Sequence, residues 1–333
     1  MKLKRLYLTG TEPVYLWNGQ LFSDLMQQLI EGSSLQVEIA VSPHDADIIL
    51  FLEPCKLKNR HYIKTISENI VFNQYANKSY VYSIDDFSIS FLPGVYVNLE
   101  KRHHAQDHTS ACGYLFHANE MVESIYKSHG ENTPKHQACF RGSINVPVRQ
   151  RLIDASFNFK NPDYQITAID DSKWFNHNRN DKIDYLVEMT NSKYVICPRG
   201  LGTTSYRLYE TMQLGRVPII ISDQWVPPYN LDWDSFSIRI AEHQVEQIPD
   251  ILKKMESTWK EMAVTARKTW KSCINPIYQI DFLLKELFSL AQASRPNAAE
   301  YIRRWRKDCF WKPYGLDFGN RLRRKCRQFL HLN

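Results

Sequence analysis

The stretch YVICPRGLGTTSYRLYETMQLGRVPIII runs from residue 194 to residue 221. It opens on an apolar, β-rich run, 194–197, with the length of a buried strand, closed by Pro198. Arg199 follows, with Gly200 and Gly202 on either side of Leu201. Thr203, Thr204 and Ser205 then supply hydroxyls and an N-cap for a helix expected over about 205–214. Gly215 stands where a helix stops, and the apolar run 217–221 begins the next strand.

A strand, a glycine-rich turn and a helix in that order form an anion site. The first amides of a helix have no intrahelical partner, and the helix dipole is positive at that end. Glycines let backbone approach a phosphate closely. Arg199 adds charge-assisted contacts worth about 1.5–3 kcal/mol each. Glu210 lies too far into the helix to meet phosphate, and its carboxylate suits ribose hydroxyls. Arg207, three residues earlier, is its alternative partner. The spacing is neither that of a Walker loop nor GxGxxG, which counts against kinases and dehydrogenases. A second basic stretch, CFRGSINVPVRQRL (139–152), places Arg141-Gly142 at an expected strand end and Arg149 in the following helix. A pyrophosphate needs donors from several segments, so the two stretches reinforce each other.

Outward from this unit, the same alternation continues. Leu21, Phe22, Leu25, Met26, Leu29 and Ile30 share one helical face and stop at Gly32. Strands are expected at 37–41, 47–52 and 80–83, and again at 164–168. Helices are expected at 148–155, from a cap at Asp181, and over 244–273 and 277–293. The polar, His-rich segment 101–137 reads as an active-site loop with a helix near 120–127, and HGENTPKHQ (129–137) as a linker. The fold class is therefore α/β, with two doubly wound domains: 1–133, 134–293, and a basic aromatic tail, 294–333. Ligands in such sheets bind beyond the carboxyl ends of the strands, which draws attention to Glu53, Asp86 and Asp223.

The 333 residues carry 43% hydrophobic and 23% charged side chains, a globular composition. The net charge of +6 is concentrated in residues 300–333, where ten Lys/Arg face three Asp/Glu, a local balance of +7. The remainder is near neutral, which excludes nucleic acid as the expected partner. The tail motifs RRWRK (303–307), FWKPY (310–314) and RLRRKCRQFL (321–330) suit either an anionic membrane surface or a helix packed back on the N-terminal domain. The chain offers no run of about 18 apolar residues and no signal-peptide core. Its seven cysteines include no CxxC pair, which fits reduced thiols. These features predict a cytoplasmic protein, peripheral on the inner membrane face.

At this point the run 191–240 resembles the exostosin-like glycosyltransferase family. The shared pattern is Ser192-Lys193, Cys197-Pro198-Arg199-Gly200, Ser205-x-Arg207-x-x-Glu210, Val217-Pro218 and Pro228-Tyr229, preceded by Phe140-Arg141-Gly142 and Arg149. The resemblance covers about 100 residues. It implies a GT-B architecture: two Rossmann-like domains facing a cleft, with the donor in the C-terminal one. It further implies inverting, metal-independent transfer, commonly from a UDP-sugar, in polysaccharide biosynthesis. Carried over, Arg141, Arg149 and Arg199 face the donor diphosphate and Glu210 the ribose; Gly142, Gly200, Gly202, Thr204, Ser205 and Arg207 complete the donor site. Asp223 follows the strand 217–221 and suits either the donor sugar or turn capping.

No cofactor or metal is expected. The acceptor is expected to be a glycan or a lipid-linked saccharide. Inversion requires one base to take the acceptor proton. Glu53 ranks first for it and Asp86 second, each at a strand end. His103, His104 and His108 are acceptor-side candidates, and His104 and His108 also have i,i+4 zinc-like spacing around Asp107. Two rivals stand beside this reading: a non-catalytic subunit that stabilises a partner transferase, and a GDP-fucose-dependent fucosyltransferase.

Overall fold

The computed structural model describes residues 4–11, 16–17, 20–53, 59–86, 90–116, 119, 121–159, 163–169, 179–295 and 297–308. The described residues fall into two compact units, one within Met1–Gln27, Gln36–Ser110 and Glu286–Asn333, the other within Gln28–Leu35 and Ala111–Lys285.

The first unit is built on a six-stranded sheet. Its strands are β1 (Lys4–Thr9), β4 (Val37–Ile39), β5 (Ile48–Glu53), β6 (Ser79–Ser83), β7 (Gly94–Tyr96) and β8 (Thr109–Ala111), ordered β4-β1-β5-β6-β7-β8. A short antiparallel hairpin, β2 (Leu16–Trp17) with β3 (Gln20–Leu21), precedes helix α1 (Phe22–Glu31). β4, β1, β5, β6 and β7 pair in parallel. Every residue of β5 is buried, which explains its unbroken apolar run: covered on both faces, the strand has no solvent side to alternate with. Helices α2 (Asn59–Glu68) and α3 (Ile70–Tyr75) lie between β5 and β6.

The second unit carries β9 (His136–Ser143), β10 (Tyr164–Ile169), β11 (Ser192–Pro198), β12 (Val217–Ile221) and β13 (Ile238–Arg239) in one parallel sheet ordered β10-β9-β11-β12-β13. Its helices are α4 (Val122–His129), α5 (Pro147–Ser156), α6 (Arg179–Thr190), α7 (Tyr206–Gln213), α8 (Ile248–Lys254), α9 (Trp259–Thr269) and α10 (Pro276–Leu290). One core packs Phe140, Tyr194, Ile196, Ile219 and Ile221 of the sheet against Val148 and Leu152 of α5, Leu252 of α8 and Met262 of α9. Burying each such side chain contributes about 1.5–3 kcal/mol. Two Rossmann-like units in one chain are the parts of the GT-B class, as the sequence predicts.

Several elements differ from the sequence reading. HGENTPKHQ is no linker: the Arg216 guanidinium binds the carbonyls of Gly130, Asn132 and Thr190, and β9 starts at His136. Its polarity is satisfied by a distant buried arginine, invisible in the local composition. For the same reason the division lies at 110/111: α4 packs in the second unit, where Arg267 pairs with Glu123 at 2.8 Å. The helix expected over 244–273 is broken at 255–258 and ends in a π-helical turn, Trp270–Ile274. Asp181 sits inside the first turn of α6 instead of capping it. The chain after Glu286 rejoins the first unit through α11 (Ala298–Asp308), where Tyr301 packs on Phe72 and Phe91 with ring centroids 6.1 and 5.9 Å apart. The tail motifs at 310–314 and 321–330 lie outside the described residues.

Candidate functional site

In the second sheet the strand order reverses between β9 and β11, so the carboxyl ends of these two strands open a crevice. Arg149 of α5 bridges it. Its Nε donates to the Arg199 carbonyl at 3.0 Å and its Nη1 to the Ser143 carbonyl at 3.1 Å. The side chain is 3% exposed, so this guanidinium holds the two strand-end loops together from inside.

Arg199 is also buried, at 4% exposure, and its partner is one the sequence did not reveal. Nε and Nη2 grip the two carboxylate oxygens of Glu242 at 2.8 and 3.3 Å, while Nη1 donates to the Gly200 carbonyl. Glu242 follows β13, which pairs with β12 and so returns to the crevice. Asp223 completes the arrangement: its Oδ1 accepts the Glu242 amide at 3.0 Å, and its own amide donates to Glu242 Oε1 at 3.3 Å. In this geometry Arg199 fixes the glycine loop, and Asp223 caps the turn after β12. Gly202, Thr203 and Thr204 of that loop are buried.

Ser205 occupies the N-cap of α7 with extended backbone, yet its side chain makes no capping hydrogen bond. Such a bond is ordinarily worth about 1 kcal/mol. The helix ends as read: Gly215 adopts φ +64, a conformation only glycine takes at little cost. Arg207, in the first turn, is 5% exposed. Its Nη2 donates to the Arg141 carbonyl at 2.6 Å, and its guanidinium lies 4.7 Å over the Phe140 ring and 5.8 Å over that of Tyr185. Nε and Nη1 are buried and find no hydrogen-bond partner in the protein. Gly142 makes this placement possible, since a Cβ there would stand 2.8 Å from Arg207 Nη2. Arg141 is the most accessible of the four arginines, with a side chain 31% exposed and a loose 3.5 Å contact to Glu188.

Glu210 is buried one turn further on and accepts the Tyr185 hydroxyl at 2.8 Å. Burial raises its carboxyl above the ordinary 4.5, while Tyr185 and Arg207 pull in the opposite direction. Burial, and then Glu210, also push the Tyr185 phenol well up, which keeps it a donor. Folded protein thus holds the Glu210 proton more tightly than the unfolded chain. That contribution is complete below 4.5 and is lost as pH rises through the raised value. Glu210→Gln keeps an acceptor for Tyr185 and removes the titration. In thermal melts the parent should lose stability relative to Glu210→Gln as pH increases above 4.5; parallel curves would refute this.

The first unit carries the remaining candidates. Its strand order reverses between β1 and β5, and there Glu53 receives both the amide and the hydroxyl of Thr11, at 3.2 and 2.8 Å. Asp86 lies nearby in sequence terms after β6, half-buried, with Asn98 Nδ2 at 3.4 Å. His103 is buried beside Glu100, and burial lowers its proton affinity. His104 contacts Thr109 Oγ1 at 3.1 Å, and His108 donates to the Ser90 carbonyl at 3.2 Å. Because this segment is a 3-10 turn running into β8, i,i+4 residues share no helical face, and the zinc-like spacing of His104 and His108 brings no ligand set together. Among the described residues no group of three His, Cys, Asp or Glu surrounds a single point.

Tyr185 and Glu242 are the site residues the sequence reading missed. Neither carries a local signal; only the return of α6 and β13 to the crevice places them.

Residues 101–255 match the family model described as the Exostosin GT47 domain. The chain is 32% identical over 132 residues to the Exostosin-1 homolog of Caenorhabditis elegans, 38% of this chain and 34% of that protein. It is 28% identical over 141 residues to a probable glucuronosyltransferase of Oryza sativa subsp. japonica, 39% of this chain and 34% of that one. It therefore spans about a third of the length of these relatives. Among solved structures, HepE of Anabaena in complex with UDP aligns at TM-score 0.44 and 11% identity, over 86% of this chain and 100% of that one. The motif residues Phe140, Arg141, Cys197, Arg199, Arg207 and Glu210 all lie inside the matched segment, and residues 101–255 accordingly carry an exostosin-like glycosyltransferase domain.

Proposed function

We propose that the protein transfers a sugar from a UDP-sugar to a saccharide or lipid-linked saccharide, with inversion and without a metal ion. The observation that carries this reading is Arg207: a buried guanidinium in the first turn of α7 with two unpartnered N–H groups, beside an N-cap whose side chain makes no cap. A buried charge left unsatisfied is costly. A diphosphate satisfies those donors, draws on the positive helix end, and is also reached by the more exposed Arg141. The same cations supply charge stabilisation for the leaving nucleotide, the role a metal otherwise fills.

In the reaction the acceptor oxygen attacks the anomeric carbon, the bond from that carbon to the phosphate oxygen breaks, and the nucleotide diphosphate leaves with the electron pair. The acceptor proton passes to a carboxylate, for which Glu53 is proposed first and Asp86 second. Glu210 accepts the ribose hydroxyls. The tail beyond 303 is assigned to an anionic inner membrane face, with the protein cytoplasmic.

One observation favours the non-catalytic reading. Both Glu53 oxygens already accept from Thr11, so the carboxylate is engaged in a contact within its own unit. A two-part experiment separates the readings. UDP at a hundred times its Kd should stabilise the fold by about 2.7 kcal/mol, and GDP should do so less. In a transfer assay with EDTA present, Glu53→Gln or Asp86→Asn should then lower turnover by about 10²–10⁴. No shift with UDP removes the donor assignment; UDP binding with no turnover in the parent supports the non-catalytic subunit; preference for GDP supports the fucosyl donor.

A further inference from the structure

On the second unit, α9 and the π-helical turn after it border a cleft of about 480 Å³ lined by Val264, Arg267, Lys268, Lys271, Ser272 and Tyr278. Positions 264, 267, 268, 271 and 272 follow the i, i+3, i+4, i+7, i+8 spacing of a single helical stripe, which on most helices faces a core. The buried residues of α9 are Met262, Ala263, Ala266 and Arg267, so the two stripes meet only at Arg267. The turn is widened by an i→i+5 bond from the Asn275 amide to the Trp270 carbonyl at 2.9 Å, a feature often found at functional places.

Two properties of this face define its partner. No acid lines it and its free positive charge comes from the exposed Lys268 and Lys271, while Arg267 is ion-paired with Glu123 and keeps a buried Nε without a hydrogen-bond partner. Glu261, one turn before Val264, is the single acid of α9 and marks the end of the stripe. The rim is also apolar. Val264 is 70% exposed, Ile277 65% and Tyr278 49%, so three of the seven exposed large hydrophobic side chains among the described residues gather here. A soluble acidic saccharide would use the cations and leave Val264 and Ile277 in water. An anionic bilayer uses both, headgroup phosphates in the cleft and the apolar rim at the acyl boundary.

We propose that the α9–α10 face, Val264 to Tyr278, is a membrane-docking surface that seats anionic phospholipid headgroups. Its residues are other than those of the strand-end crevice and of the tail motifs.

The test uses the full chain and co-sedimentation with phosphatidylcholine vesicles with and without phosphatidylserine. Each lysine near the surface is worth about fivefold in partitioning, so Lys268→Gln with Lys271→Gln should weaken binding to the anionic vesicles about 30-fold. Lys253→Gln with Lys254→Gln, an equal charge change on exposed residues of α8, should leave it within about threefold. Val264→Asp should weaken binding with the lysines intact. Far-UV circular dichroism confirms that each variant folds, and the tail contributes the same background to all. Equal losses from both lysine pairs, no loss from either, no binding of the parent to anionic vesicles, or a lysine effect confined to soluble polygalacturonate would each overturn the proposal.

Discussion

Arg199→Ala should lower the unfolding free energy by about 3–5 kcal/mol, because it leaves the Glu242 carboxylate buried without its counter-ion. Glu242 has a side chain only 12% exposed and takes two hydrogen bonds from Arg199. Its Oε1 also accepts the Asp223 amide, a neutral donor that brings no counter-charge. A double-mutant cycle distinguishes the pair from simple loss of volume. Arg199→Met with Glu242→Leu removes both charges and should recover most of the stability, since buried pairs replaced by packed apolar groups often cost nothing. Urea titrations of the parent, both single variants and the double variant give the coupling. A double variant as unstable as the sum of the singles would show that the pair does not act as a unit. Transfer activity should fall in Arg199→Ala as well, but through the glycine loop it anchors.

Arg207→Met should show the opposite pattern. Its guanidinium has one hydrogen bond to protein, to the Arg141 carbonyl, and two buried N–H groups with none. Methionine fills much of the volume and removes an incompletely satisfied charge, so unfolding in urea should shift by no more than about 1 kcal/mol. Two charge-assisted contacts to a diphosphate are together worth about 3–6 kcal/mol, so kcat/KM should drop by about 10²–10⁴ and the UDP-induced rise in Tm should disappear. If Arg207→Met unfolds the protein while residual folded material still binds UDP normally, Arg207 is a structural cation and the donor site lies elsewhere. Opposite outcomes for two buried arginines eight residues apart are the sharpest consequence of the geometry.

The regular elements that could be read from the chain are those whose environment writes itself into composition. β5 and β12 are buried along their whole length and β11 from Tyr194 onward, so Ile48–Leu52, Tyr194–Cys197 and Val217–Ile221 read as apolar runs. β1, with Lys4 and Arg5 at its start, gives no such run, and β7 and β8 have three residues each. Of β9 only the carboxyl end was legible, at Arg141-Gly142, because its start, His136-Gln137, is polar and falls in a stretch that reads as a linker.

The sequence by itself determined the strand–glycine turn–helix unit at 194–221, the two Rossmann-like halves, and the set of arginines gathered at 141, 149, 199 and 207. Those follow from local periodicity, turn chemistry and motif order, all of which depend on near neighbours along the chain. Only the tertiary structure decided what each arginine does: Arg149 binds carbonyls from two loops, Arg199 pairs with Glu242, and Arg207 keeps two donors unspent. A guanidinium selects its partner by distance and burial, and β13 and α6 deliver Glu242 and Tyr185 from 43 and 22 residues away, respectively, along a chain whose local pattern does not encode that return.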